Sequence, residues 1–232
     1  VTGVIQADQA AWLASSVSEA WDVVVYGANP GGIMAAVAAA REGATVALVA
    51  PTSWVGGMTT GGISLTDVNT PRSSAQVVGL AREFYKRVAK NYGTSQRWTI
   101  FWKGGLGTEP KIAQREFGRM LNEAGVRVIT NAGDVVGCIK TGTRISSLTL
   151  ANYGTIYGKA FVDATYEGDL LAAAGCTTTI GREANATYSE TSNGVAALLS
   201  DADQFHASVD PYVTAGVPGS GFLPGISGTT LG

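Results

Sequence analysis

Apolar residues along this chain fall into two kinds of run. Val23–Tyr26 is continuous, as in a strand covered on both faces, and Thr45–Val49 is a second such run. Between them Ile33–Arg41 is alanine-rich and reads as a helix whose small side chains lie close on a sheet. Farther on, Val77, Leu80, Ala81, Phe84 and Val88 recur at helical spacing and predict a helix over residues 75–90. Arg82, Lys86, Arg87 and Lys90 fall largely on its other side. A solvated face accounts for that basic cluster better than an anion site. Thr108-Glu109-Pro110 opens another helix with proline in its first turn, and Ala113, Phe117, Met120, Leu121 and Ala124 form its apolar face. Gly125 is placed to end it in the left-handed conformation. Val126–Thr130 predicts a third strand. Val135–Lys140, Arg144–Leu150 and Thr155–Phe161 follow, separated by glycine-containing turns. They read as an antiparallel meander whose last strand runs on into Val162-Asp163-Ala164-Thr165. A helix over residues 167–174 comes next.

Strand, helix and strand followed by a meander make an α/β protein. The 232 residues, 45% of them hydrophobic and 15% charged, suffice for a sizeable core. A net charge of -2 offers no broad basic face, so nucleic acid is not an expected partner. No apolar run reaches the roughly 20 residues that cross a bilayer, and no membrane partner is expected. Cys138 and Cys176 match no metal spacing and read as buried free thiols. The single histidine, His206, argues against a histidine-rich metal site, and no metal is expected. The chain starts at Val1 rather than methionine and so reads as processed or as an engineered piece; no signal peptide is visible, and a secreted or periplasmic location is the expectation. The closing "GVPGSGFLPGISGTTLG" lacks helix or strand periodicity and reads as loop.

The chemistry starts in "DVVVYGANPGGIMAAVAAAREGATVALVA", Asp22–Ala50. A strand feeding a helix through a glycine turn aims backbone N–H groups at the helix N-terminus, where a pyrophosphate is stabilised. Gly27 would make the tight turn, and Gly32 would let the helix pack close on the strand. Asn29 stands where glycine normally lets the backbone approach the phosphates. It fits there if it adopts a positive φ, which asparagine visits more readily than most residues. Alternatively the loop is shifted by one and Gly31 is the close-approach residue. Ala50 stands where an acid usually ends the second strand to bind the adenosine ribose. Its absence removes one contact and leaves the phosphate cradle, and Ala50→Glu is expected to be tolerated.

Four blocks in order, "YGANPGG", "GGMTTGG", "DATYEGDLLAAAG" and "GREANATYSE", resemble the flavin-dependent oxidoreductases with two dinucleotide-binding domains. Within them the chain is similar to a large FAD-dependent oxidoreductase family that includes xanthan-lyase-like proteins. The resemblance covers residues 22–195. It implies FAD as cofactor, a Rossmann-like FAD-binding βαβ unit with a parallel sheet, the meander, and the start of a second, substrate domain. The implied organisation is an N-terminal extension over 1–21, an FAD-binding domain over 22–175 with a helical insertion at 63–125, and an incomplete substrate domain over 176–232. Gly27, Gly31 and Gly32 would cradle the pyrophosphate together with Asn29. Pro51, Thr52 and Ser53 would lie near the adenosine. Gly56, Gly57 and Met58 would pass close to the pyrophosphate and ribityl chain. Val135 would give adenine contacts through its backbone, and Ala164 and Thr165 would flank the cofactor. Asp169 would accept from ribityl or ribose hydroxyls, or else serve only as a helix N-terminal charge.

The implied activity is hydride transfer from a small or carbohydrate-like donor to flavin. Two alternatives stay open: a nicotinamide-dependent oxidoreductase using the same turn, and a non-catalytic module that keeps the fold. No carboxylate pair or Ser/His/Asp set stands out. Arg182 would grip an anionic or polyhydroxylated donor or stabilise charge on reduced flavin, Glu183 would pair with it, and Tyr188 would donate a hydrogen bond. A structural Arg–Glu network is the competing account. His206 is a further candidate base. Trp98 and Trp102 in "RWTIFW" would line a substrate cavity or fill a core. Asn185-Ala186-Thr187 also fits a glycosylation acceptor. No second glycine-rich strand–helix block follows, so a fragment is expected, with a second polypeptide completing the flavin site.

Overall fold

The computed structural model describes residues 20–63, 77–92, 109–179, 183–190 and 210–224. The chain divides into two units, Val1–Cys176 and Thr177–Gly232. The first unit is built on a six-stranded sheet in the order β3-β2-β1-β6-β5-β4. Its strands are β1 (Ala20–Tyr26), β2 (Val46–Val49), β3 (Arg127–Ile129), β4 (Val135–Thr141), β5 (Arg144–Leu150) and β6 (Gly154–Asp163). β1 starts earlier than its apolar run because Ala20 and Trp21 pair with Tyr157 and Gly158 of β6. Of the expected N-terminal extension, residues 1–19 lie outside the described residues, and the last two belong to the sheet.

The meander is not a separate layer. β6 runs antiparallel to β5 on one side and parallel to β1 on the other, which makes one mixed sheet. β6 stops at Asp163, so Ala164 and Thr165 lie just beyond the strand. β1, β2, β3 and β6 are mutually parallel, and their C-terminal ends share one edge of the sheet. The chain leaves β1 toward β2 and later returns as β6 on the opposite flank. The gap between the ends of β1 and β6 is therefore the topological switch point, where open α/β sheets form a crevice.

Strand alternation divides the core. Val25, Val46 and Leu48 face a cluster containing Ile33, Ala36, Val37, Phe84, Phe117 and Met120. Val24, Tyr26, Ala47 and Val49 face the other, with Ile129, Leu148, Leu150, Ile156 and Leu170. The first cluster belongs to three helices, α1 (Pro30–Arg41), α3 (Gly79–Lys90) and α4 (Pro110–Glu123), with the short α2 (Gly57–Thr60) between the first two in sequence. The rings of Phe84 and Phe117 stack at 4.0 Å. α3 and α4 thus complete the core of the sheet, although the sequence reads as an insertion there. Ala81 is exposed where the helical period placed it inside, and Ala89 is buried instead. Gly125 ends α4 at φ 72, as its position predicts. Arg87 forms two hydrogen bonds with Glu123 and one with Glu83, and Arg41 holds Glu83 with two, joining the three helices.

Cys138 is half-buried and Cys176 is exposed, so the expectation of two buried thiols fails at Cys176, which lies just past α5 (Asp169–Ala173). Trp98 and Trp102 lie outside the described residues. Among the described residues no helix is long and apolar enough to cross a membrane.

In the second unit the described residues form a short helix, α6 (Asn185–Tyr188), and a closed loop. Tyr212 bridges Phe222 in antiparallel fashion, their rings stack at 5.3 Å, and Pro218–Ser220 makes a 3₁₀ turn between them. The stretch from Gly216 to Pro224 that reads as plain loop is thus held by ring stacking and cross-loop bonds, which no periodicity announces.

Candidate functional site

The turn between β1 and α1 is set by what lies behind it. Gly27 adopts φ +106, and a Cβ there would stand 2.5 Å from the Ala164 carbonyl carbon. A Cβ on Gly32 would stand 2.0 Å from the Gly27 oxygen and 2.9 Å from the Ala164 Cβ. Both glycines are therefore required by close approach of backbone to backbone, Gly27 by its φ as well. Gly31 differs: it is exposed, and an added Cβ would meet only the Asn29 Oδ1, at 3.4 Å. Its outer side is open.

Asn29 does not take the left-handed conformation expected of it. Its φ is -77 and ψ 175, extended backbone, and it is the N-cap of α1. Its Oδ1 accepts the Gly32 N–H at 3.0 Å, and its Nδ2 donates to the Ala164 oxygen. Pro30 follows at the first helical position, where its missing N–H costs nothing. The asparagine thus replaces a glycine by capping the helix, a substitution worth about 1 kcal/mol over an uncapped start. The carboxamide uses one N–H of the helix start, that of Gly32. The N–H groups of Asn29 and Gly31 have no acceptor among the described residues. With no acidic side chain in its first turn, α1 presents an uncompensated positive dipole end here.

Facing this turn is the segment after β6. Asp163 Oδ1 accepts from the Thr165 N–H at 2.9 Å and from its hydroxyl at 2.7 Å, and Oδ2 accepts the Leu171 N–H at 2.8 Å. Thr165 Oγ1 in turn accepts from Gly168 N–H and Asp169 N–H. The Thr165 hydroxyl is saturated by its own loop, so it shapes the segment. Asp169 is exposed, in the first turn of α5, and its carboxylate has no partner among the described residues. The "GGMTTGG" loop closes the third side. Gly56 (φ 112) donates to the Ala28 oxygen at 2.7 Å, Gly57 has φ 51, and the buried Thr60 hydroxyl bonds to the Val55 and Gly57 oxygens. Met58 is exposed, and its N–H donates to the Tyr166 hydroxyl at 3.1 Å.

A second cluster lies over the ends of β2 and β3. The Asn131 N–H donates to the Thr52 oxygen, Gly133 N–H to Pro51 oxygen and Ala132 N–H to Ala50 oxygen. The buried Tyr26 hydroxyl donates to the Gly133 oxygen at 3.2 Å. Burial, followed by the nearby Asp134 and Asp169 charges, pushes its pKa up to about 12, so it stays a donor. This bonding brings Pro51 and Thr52 beside the loop leading to Val135, with Ser53 exposed next to them. Ala50 is fully buried, with its N–H bonded to the Ile129 oxygen at 2.7 Å. The expectation that an acid is tolerated there is overturned, because the position faces the apolar core.

The structure gathers Gly27, Asn29, Gly31, Gly32, Gly56, Gly57, Met58, Ala164, Thr165 and Asp169 around the switch point. It gathers Pro51, Thr52, Ser53 and Val135 around the ends of β2 and β3. Of the catalytic candidates, Arg182 and His206 lie outside the described residues. Glu183 and Tyr188 belong to the second unit, where Tyr188 is 69% exposed. Asn185 is exposed there too. Residue patterns missed three participants: Tyr166, Asp163 and the loop Asn131–Gly133. They also missed the cap, although Asn followed by Pro at a helix start signals one.

The close approach of Gly27 and Gly32 to Ala164, with open N–H groups at the start of α1, fits the pyrophosphate of a dinucleotide. A family profile described as FAD dependent oxidoreductase matches residues 22–217. No curated protein is matched. Among solved structures, L-proline dehydrogenase from P. horikoshii superposes with a TM-score of 0.53 at 16% identity, covering 72% of this chain and 59% of its own. THI4 from Thermovibrio ammonificans gives 0.49 at 20% identity, covering 79% of this chain and 75% of its own. Glycine oxidase from Geobacillus kaustophilus gives 0.48 at 14%, covering 69% and 60%. The chain therefore spans less than two thirds of the proline dehydrogenase, and that likeness shows the fold alone. The family match decides the rest: this chain belongs to the FAD dependent oxidoreductase family, an oxidoreductase family whose cofactor is FAD.

Proposed function

We propose that this chain holds FAD across the switch point and takes part in oxidising a small or carbohydrate-like donor by hydride transfer. The observation that carries the reading is the packing of Gly27 and Gly32 on Ala164, which leaves the start of α1 open in front of the turn. Bound FAD supplies the hydride acceptor. The N–H groups of Asn29 and Gly31 and the dipole of α1 hold the pyrophosphate. Gly31 has no side chain to block that approach, and Gly56 and Gly57 shape the neighbouring loop. The Asp169 carboxylate accepts from ribityl or ribose hydroxyls. Pro51, Thr52, Ser53 and the backbone at Val135 border the adenosine, whose ribose receives no carboxylate from Ala50. In the second unit, Arg182 orients an anionic or hydroxyl-bearing donor, with Glu183, Tyr188 and His206 as the other candidates.

The test is anaerobic reduction of the flavin in the loaded protein by a panel of polyols, sugars and amino acids. Bleaching by one class identifies the donor. Bound flavin that no donor bleaches, while a chemical reductant does, contradicts the assigned donor class. Met58, Ile63, Tyr166 and Leu171 stand exposed around this rim. We propose that a second polypeptide covers them. Native mass spectrometry of the purified protein showing the chain alone with one FAD contradicts that part.

A further inference from the structure

We infer that the Tyr166 hydroxyl is a cofactor-binding group that donates its proton to the pyrophosphate of FAD; the inference rests on the cofactor placement proposed above. Tyr166 is 59% exposed, so core packing does not explain its position. Its oxygen accepts the Met58 N–H at 3.1 Å. A phenol has a single proton to give, and here that proton has no acceptor among the described residues. The contrast is Tyr26, buried, whose proton goes to the Gly133 oxygen.

The place of the hydroxyl gives the free proton a direction. A Cβ on Gly57 would stand 2.3 Å from the Tyr166 oxygen and 3.1 Å from both the Asn29 Cβ and the Pro30 Cδ. The hydroxyl, the Gly57 backbone and the start of α1 therefore surround one point. The open N–H groups of Asn29 and Gly31 belong to that same turn. An oxygen-rich anion seated on those groups lies beside a hydroxyl already oriented by the Met58 N–H. Hydrogen bonds to charged acceptors are the strong ones, and a preoriented donor loses little freedom in making one. Tyr166 therefore does two things: it accepts from the "GGMTTGG" loop and donates to the phosphate.

The test is titration of apoprotein, wild type and Tyr166→Phe, with FAD, with ADP and with adenosine. Phenylalanine keeps the ring and removes the hydroxyl. The expected result is affinity for FAD and for ADP reduced roughly tenfold or more, with adenosine bound alike by both proteins. Equal affinities of the two proteins for FAD overturn the inference alone and leave the family placement standing. An equal loss for adenosine makes Tyr166 a loop tether only, which also overturns it. Loss for FAD with ADP unaffected moves the hydroxyl away from the pyrophosphate and overturns it as stated. A wild-type protein that fails to bind FAD removes the cofactor placement and this inference together.

Discussion

The two ends of the parallel strands are built on opposite plans. At the N-terminal end, Asp22 accepts from the Thr45 N–H and hydroxyl and from the Lys159 ammonium, and its own N–H returns to Thr45. The Lys159 hydrogen bond, ahead of those from Thr45, holds the Asp22 carboxyl well below the usual carboxylate range. Every polar group named there is bonded within the protein. At the C-terminal end the backbone is packed so closely that only glycine fits at Gly27 and Gly32, while N–H groups at the start of α1 stay open. One end is closed on itself, and the other has its rigidity behind the surface and its unused donors in front. Same strands, different ends: the contrast separates structural polar chemistry from chemistry kept for a ligand.

The largest way to break the contrast is Ala50→Glu. It puts an unpaired carboxylate into the core, and a loss of about 3–5 kcal/mol of stability is expected in chemical denaturation, whereas Ala50→Ser costs far less. Next comes Gly32→Ala, whose methyl group meets the Gly27 oxygen and Ala164. It should cost about 2–3 kcal/mol and abolish FAD binding, with both read on one sample by denaturation and titration. The counterpart Gly31→Ala meets only the Asn29 Oδ1, at an ordinary contact distance, and should leave stability within about 0.5 kcal/mol while weakening FAD.

Asn29→Ala removes the cap and the bond to Ala164, at an expected cost of about 1–2 kcal/mol. Asn29→Asp keeps the acceptor for the Gly32 N–H, but its second oxygen faces the Ala164 carbonyl oxygen, acceptor against acceptor, so it should melt below wild type. Asn29→Gly should be destabilising too, because it loses the cap on the Gly32 N–H and the bond to Ala164, and at an extended φ glycine gains nothing in return. A small effect on stability alone is expected far from the site. The hydrogen bond from Arg41, ahead of that from Arg87, holds the Glu83 carboxyl at about 2, against an ordinary 4.5. A value lowered by folding contributes stability fully present above about 4.5 and lost as pH falls toward about 2. Glu83→Gln should cost at most about 1 kcal/mol at neutral pH and flatten the loss of stability across that window, seen in pH-dependent melting.

Most elements were legible because burial imposes a period. Val23–Tyr26, Phe84 with Val88, and Phe117 with Met120 announce their strand and helices through it. The glycine turn was legible because the small set Gly27, Gly31 and Gly32 has few other uses in that context. Asn29 was misjudged because its side chain serves two conformations equally well in sequence, left-handed turn or helix cap, and the partner that decides, Ala164, lies 135 positions away. Ala50 was misjudged because a strand end shows its register but not the closure of the loop Asn131–Gly133 over it. Tyr166 carries no periodic signal at all. Its role arises from a contact with Met58, 108 positions distant, that only the folded rim creates.

The most direct test of the account is amide hydrogen exchange on the purified protein with and without FAD. FAD should protect the peptide covering Tyr26–Ile33, along with the Gly56–Thr60 and Ala164–Leu171 segments, and leave the Gly43–Val46 segment at the opposite end unchanged. Bound FAD that protects other segments and leaves Tyr26–Ile33 exchanging as before would contradict it.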